Sequence, residues 1–521
     1  MQTVPSQQYP YSDTECEIST DEEWTDDFLH QKEEKNNSNV SATSNTIANN
    51  HTINSNKYEV YANDYIKFTN ENPTTYHVIN YFKLLLDKSG YTFIPEQKSL
   101  SASTIEAING GGLFYTVRSD LTLVAFVIGG AWTPEQGLGV IGSHVDSLTA
   151  KLKPFTKKPN VDGYQLLGVA PYSGALNKLW LDRDLGIGGK ILIKDKNGRI
   201  SSKVIKSEYP IAKIPSLAEH FINFEDQNYN QETRMVPIVG YEEEEEESIK
   251  LTEDEKRSPL LLKHSIHLLR FLSELSNTPI SDIIQLDLEL YDVQKASRGG
   301  ISKEFIFAPR VDDRLCSYTA IHSLIKFGQT VNLSTYKGCN VVDLTDNEEI
   351  GSATRTGVKG QFLNATLDRI LYAKGFTNAS RLVFANSLIV SADVTHALNP
   401  NFKSAYLNGH FPVPNKGLTI KKDANNHVMS DSVGIDVFSR IASKNGLKLQ
   451  QFHIRNGAPS GGTIGPMISC DTGARVVDVG LAQLSMHSIR AMFGYKEVGI
   501  GIDTFGAFFK DWREIYKSYD I

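Results

Sequence analysis

The chain has 521 residues, 40% of them hydrophobic and 22% charged, which suits a soluble, enzyme-sized protein with a large core and about two domains plus extras. No apolar run reaches the ~18 residues that span a bilayer, and no basic-then-apolar leader opens the chain, so synthesis in the cytosol without membrane insertion is expected. Ten acids against Lys32 and Lys35 place the whole net charge of −8 in residues 1–56, and the neutral remainder offers no footprint for nucleic acid.

Residues 1–56 are rich in Ser, Asn, Thr and acids and lack the apolar periodicity that repays ordering, so they read as a disordered acidic tail or propeptide. Within 21–35, Trp24, Phe28 and Leu29 have the spacing of one short amphipathic turn. The folded body begins near Tyr58. Val78, Phe82, Leu85 and Leu86, with Gly90 beyond, predict a helix over 74–88. Strands are predicted at 121–128 and 137–141, the second leading into Gly142-Ser143-His144-Val145-Asp146.

Residues 151–305 differ in character and read as a second domain inserted into the first, which resumes at 306–521 after its opening part, 57–150. The insertion has a strand over 190–194, a six-glutamate run at 242–247 that reads as a solvated loop, and a helix over 260–272. Gly186-Ile187-Gly188-Gly189-Lys190 lacks the spacing of a phosphate loop. Cys16, Cys316, Cys339 and Cys470 lack metal-ligand spacing and are expected to be free thiols.

Strand and helix alternate again after Phe305, which predicts an α/β domain with a mostly parallel sheet. A strand ends at Arg310-Val311-Asp312-Asp313, and a helix follows with Leu315, Tyr318, Ile321, Leu324 and Ile325 on one face. The run from Val341 ends at Asp346-Asn347-Glu348-Glu349-Ile350-Gly351, two carboxylates and a glycine that lets the chain turn. Taken singly this is a solvated acidic turn. Further strands lead to Ser391-Ala392-Asp393 and to Ser485-Met486-His487, and a closing helix carries Phe505, Phe508, Phe509 and Trp512 as core or interface.

Since open α/β sheets gather function beyond the carboxyl ends of their strands, these five loops are plausible neighbours. Two histidines and three carboxylates, one of them bridging, would hold two divalent ions ~3.5–4 Å apart. Imidazole and carboxylate without thiolate suit zinc, with manganese or cobalt as substitutes. Glu348 could then take a proton from a bridged water, and Asp146 could fix the His144 tautomer.

These motifs, with Ala170-Pro171-Tyr172-Ser173-Gly174 and Ser460-Gly461-Gly462-Thr463-Ile464-Gly465-Pro466, resemble the aspartyl/vacuolar aminopeptidase family of dinuclear zinc exopeptidases, from about residue 60 to the C-terminus. The resemblance implies an α/β, mixed-sheet catalytic domain with an inserted β-rich dimerisation domain. It implies that Asp312 bridges two zinc ions, that His144 and Asp393 complete one site and Glu349 and His487 the other, and that Glu348 is the general base, with Asp146 behind His144. Lys421, His396, Gly462, Thr463 and His220 would meet the peptide substrate, His220 reaching a neighbouring subunit's site. Dimers would assemble into a tetrahedral dodecamer.

Asn72-Pro73-Thr74-Thr75-Tyr76-His77-Val78 and Phe411-Pro412-Val413-Pro414-Asn415 resemble the vacuolar branch, which favours neutral N-terminal residues such as leucine. Lys421 instead matches the lysine with which the aspartyl branch holds an acidic side chain. In a dry pocket it would favour Asp or Glu; snorkelling to solvent, it leaves a neutral preference. The vacuolar branch implies delivery from the cytoplasm to the vacuole through an autophagy cargo receptor that reads the tail, with a cytoplasmic location as the alternative. Hydrolysis of N-acylated amino acids and an inactive self-assembling scaffold are the rival functions.

Overall fold

The computed structural model describes residues 43–221, 229–241 and 249–520, with side chains from residue 57. The turn expected within 21–35 and the glutamate run 242–247 lie outside the described residues. The chain divides into two units, Met1–Asn54 and Ser55–Ile521.

Burial on both faces of one strand decides the architecture of the second unit. All of Thr122–Gly129 is buried. Leu123, Ala125 and Val127 enter one core while Val124, Phe126 and Ile128 enter another, because successive strand side chains point to opposite faces. A sheet so constituted needs helices on both sides. Val311–Thr330, Glu497–Tyr516, Thr75–Lys88 and Ser432–Lys444 contribute to the first core, and Ala102–Gly110, Phe362–Ala373 and Ile464–Thr472 to the second.

Among the described residues this sheet has nine strands. At its centre Cys339–Thr345, Gly139–His144, Leu388–Ala392 and Arg475–Gly480 lie side by side and parallel, so their carboxyl ends share an edge. Antiparallel Thr122–Gly129 and Leu418–Lys421 flank them, making the sheet mixed. A smaller sheet runs Ser297–Gly299, Phe305–Ala308, Ala491–Gly494, Ala482–Leu484, Thr395–His396.

A third sheet closes on itself. Ile283–Asp292, Thr149–Lys157, Tyr164–Tyr172, Ile238–Tyr241, Ala212–Lys213 and Asp184–Lys194 pair antiparallel in that order, and the last pairs back onto the first. Ile200–Lys206 adds outside the ring, whose core includes Leu185, Ile187, Ile191, Leu288 and Leu290 with Leu269 and Leu272 of the helix Ile266–Ser276. The glycine-rich 186–190 segment lies inside the strand Asp184–Lys194. The ring strands all fall between Thr149 and Asp292, a span from which the nine-stranded sheet takes none.

Two sequence expectations are corrected. Helix Thr43–Glu71 begins inside the stretch read as disordered. It docks through Tyr58 against Gly499, where a Cβ would meet the ring at 2.0 Å, and through Tyr65 and Phe68 in the core; helix nucleated by that packing propagates outward at little cost. The helix expected over 260–272 starts at Ile266, because Ser265 accepts from Leu268 N and caps it there. No helix among the described residues is long and apolar enough to cross a membrane.

Candidate active site

The shared edge of the central strands delivers three of the five expected loops. Gly139–His144 ends on His144, which pairs in register with Thr345, and Glu348–Ile350 turns just beyond. Gly351, at φ +92°, takes the left-handed conformation that ends the turn. Leu388–Ala392 ends beside Asp393. The other two loops leave a different sheet, which corrects the single-sheet reading. Asp312 follows Phe305–Ala308, and the chain crosses at Leu481 from Arg475–Gly480 into Ala482–Leu484 before it reaches His487. The Asp312–Asp313 peptide is cis, and Ser485 and His487 hold φ of +63° and +59°.

These side chains converge. His144 Nε2 lies 3.1 Å from Asp312 Oδ1 and 4.0 Å from both Asp393 Oδ1 and Glu348 Oε2. His487 Nε2 lies 3.7 Å from Asp312 Oδ2. Ligand atoms of His144, Asp312 and Asp393 lie within 4.8 Å of one another, as do those of Asp312, Glu349 and His487, so Asp312 belongs to both groups.

Behind them stands Asp146, 2% exposed. Its Oδ1 lies 3.2 Å from His144 Nδ1 and accepts from Glu348 N at 3.2 Å. Its Oδ2 accepts from Glu349 N at 3.1 Å and from the Tyr172 hydroxyl at 2.7 Å. Tyr172, whose oxygen accepts from Asn347 Nδ2 at 2.8 Å, was missed as a site residue. Only its place within Ala170-Pro171-Tyr172-Ser173-Gly174 signalled it, since its partners are remote in sequence. Asp313, completely buried, accepts from Ser143 Oγ and Val394 N, and Ser147 Oγ donates to the Asp312 carbonyl at 2.6 Å.

The charge balance favours a cation. Burial pushes Glu348 up to about 7, with Asp393 and Asp146 adding to the effect and His144 opposing it. Burial, then Asp312, pushes Glu349 up to about 9. Burial opposes charge on His144, but Asp146 and Asp312 outweigh it and hold the imidazole well above its usual range. Glu349 Oε1 and Asp393 Oδ1 are buried with no hydrogen-bond partner among the described residues. Two acceptor-only atoms, one in each group, fit divalent cations.

The expected substrate residues divide. Lys421, His396, Gly462 and Thr463 line a cleft of about 770 Å³, open mouth included, with Asp312, Glu348, Asp393 and His487. The Thr463 hydroxyl is already engaged: it donates to Asp478 at 2.8 Å and caps the helix Ile464–Thr472. Lys421, 6% exposed, does not snorkel to solvent; its Nζ lies 3.8 Å from Asp393 Oδ2. His220 is exposed against Phe221, and no contact among the described residues ties it to the cluster.

Residues 68–509 match the family described as aminopeptidase I zinc metalloprotease (M18). The sequence is 48% identical to vacuolar aminopeptidase 1 of Saccharomyces cerevisiae over 468 residues, 89% of this chain and 90% of the relative. It is 34% identical to aspartyl aminopeptidase of Aspergillus oryzae over 485 residues, 87% and 96% of the two chains. The fold is similar to the solved mApe1 dodecamer of S. cerevisiae, with a TM-score of 0.80 and 45% identity over 89% of this chain and 99% of that one.

Replacing Asp146 by Asn removes one acceptor and the charge that orients His144. Zinc affinity is expected to fall about 10–100-fold, measured by chelator competition, with the circular dichroism spectrum unchanged. Unaltered zinc affinity would contradict the role given to Asp146.

Proposed function

The chain belongs to the aminopeptidase I zinc metalloprotease (M18) family, and from that premise we propose that it holds two zinc ions per subunit, one on His144 and Asp393, the other on Glu349 and His487, with Asp312 bridging. The observation that carries this reading is the sharing of Asp312 by both candidate groups. When bound, zinc supplies Lewis acidity toward a peptide carbonyl and lowers the pKa of a water. Glu348, whose Oε2 faces His144 Nε2 on the larger cleft, takes a proton from the attacking water and returns it to the departing amine. Asp146 keeps the Nδ1 of His144 engaged, leaving Nε2 to face Asp312.

The substrate is the N-terminal peptide bond of a peptide, with neutral first residues such as leucine preferred. Lys421 supports this preference because its ammonium is already committed. Burial opposes its charge, but Asp393 and Asp478 outweigh burial, and an acidic substrate side chain would have to compete with both. The rival preference, for N-terminal Asp or Glu, is the one named for the A. oryzae relative. Likeness to the S. cerevisiae relatives, one solved as a dodecamer and one named vacuolar, supports a homododecamer and a vacuolar location; we further propose that residues 151–305 form the dimerisation domain and that residues 1–56 direct delivery through an autophagy receptor.

Glu348→Gln is expected to lower leucyl-p-nitroanilide turnover at least ~100-fold while zinc content by mass spectrometry stays near wild type; loss of both would exchange the parts of base and ligand. Leucyl substrate should outrun glutamyl substrate in wild type, with a ratio that Lys421→Ser leaves unmoved. A selective loss with the glutamyl substrate would favour the aspartyl reading. Sedimentation should give a dodecamer's mass, and a monomer at micromolar concentration would overturn the assembly.

A further inference from the structure

The cluster borders a second cleft, which shares Asp312 and His487 with the first. Its walls include Tyr291 of the ring, Trp180 of the turn Lys178–Trp180 packed in the ring's core, Gln483 of the smaller sheet and Ser485 just beyond that strand. Gln483 is 1% exposed, and neither its Oε1 nor its Nε2 has a hydrogen-bond partner among the described residues. It sits in register with His396 on the neighbouring strand, so both side chains leave the same face of that sheet, and His396 lines the first cleft.

A buried carboxamide with donor and acceptor both unpaired is destabilising and calls for a partner. Its complement is a group offering one acceptor and one donor side by side, which is a peptide unit. Removal of a single N-terminal residue puts one residue on one side of the cluster and the rest of the peptide on the other. Only the departing part carries a peptide group besides the one being cut.

We propose that the cleft beneath Gln483 is the subsite for the departing peptide, with the Gln483 carboxamide pairing its first intact peptide group while Trp180 and Tyr291 receive the adjoining side chain. The assignment rests on the aminopeptidase reading above and adds a specificity-determining residue outside the metal ligands. The enzyme should therefore distinguish true peptides from amino-acid anilides, which lack that group.

The test uses the full-length zinc-loaded protein with leucyl-glycyl-glycine, its depsipeptide with an ester in place of the second amide, and leucyl-p-nitroanilide. In wild type, kcat/KM should be on the order of tenfold lower for the ester than for the tripeptide. Gln483→Leu should lower kcat/KM for the tripeptide roughly ten- to a hundred-fold further than for the anilide, and should abolish the amide-to-ester difference. Gln483→Glu, which keeps the size and the acceptor, should fall between. An amide-to-ester difference that persists in Gln483→Leu, or equal losses on tripeptide and anilide, would overturn the subsite alone. A wild type that cleaves none of the three would overturn the aminopeptidase reading with it.

Discussion

The carboxylate of Asp146 is the reference point of the proposed centre. It takes the Nδ1 side of His144, the hydroxyl of Tyr172 and the backbone N–H groups of both Glu348 and Glu349. Burial alone would raise this carboxyl, but those donors hold it below its usual range, so it stays an acceptor at every position they require. These four contacts come from three places: the end of a central strand, the acidic turn and the ring. A shift of any one relative to the others would break a buried hydrogen bond, so the ligand, the base and the ring are fixed in a single frame.

Around that frame the acids outnumber their internal partners. Asp312, Asp393 and Glu348 line one cleft with His487 and Lys421, Glu349 groups with Asp312 and His487, and Asp313 is buried close by. A core that served only stability would not retain this arrangement, because buried like charges cost several kcal/mol and apolar residues of similar volume cost less. Divalent cations remove the conflict by turning mutual repulsion into shared coordination. The same reasoning disfavours an inactive scaffold, which would lose nothing by neutralising Glu349 or Asp393.

Much of this was legible along the chain. Apolar runs that stop at a charged residue mark strand ends, and three of the four central strands obey that rule, so His144, the glutamate pair and Asp393 stand out in the sequence itself. Helix Thr75–Lys88 follows its 3.6-residue pattern and ends at the expected place. What a linear pattern does not encode is which sheet a strand joins. Asp312 and His487 look like products of the same alternation, yet they arrive from a neighbouring sheet, since pairing depends on register between remote segments. Tyr172 was invisible as a site residue for the same reason. Helix Thr43–Glu71 was missed because its Asn- and Thr-rich start hid the aromatic stripe of Tyr58, Tyr61, Tyr65 and Phe68.

Lys421 marks where reading by residue type stops. A lysine in a substrate cleft is evidence for acidic substrates only if its ammonium faces the substrate unopposed. Here the deciding fact is an Asp393 oxygen 3.8 Å away, supplied from just beyond the strand Leu388–Ala392, two places across the sheet from Leu418–Lys421 and antiparallel to it. With that oxygen present, an incoming carboxylate would meet an ammonium already paired, a competition that a neutral side chain does not face. On the proposed reading Lys421 therefore adds no attraction for an acidic first residue, and the carboxylate that pairs with it, Asp393, is also a proposed zinc ligand.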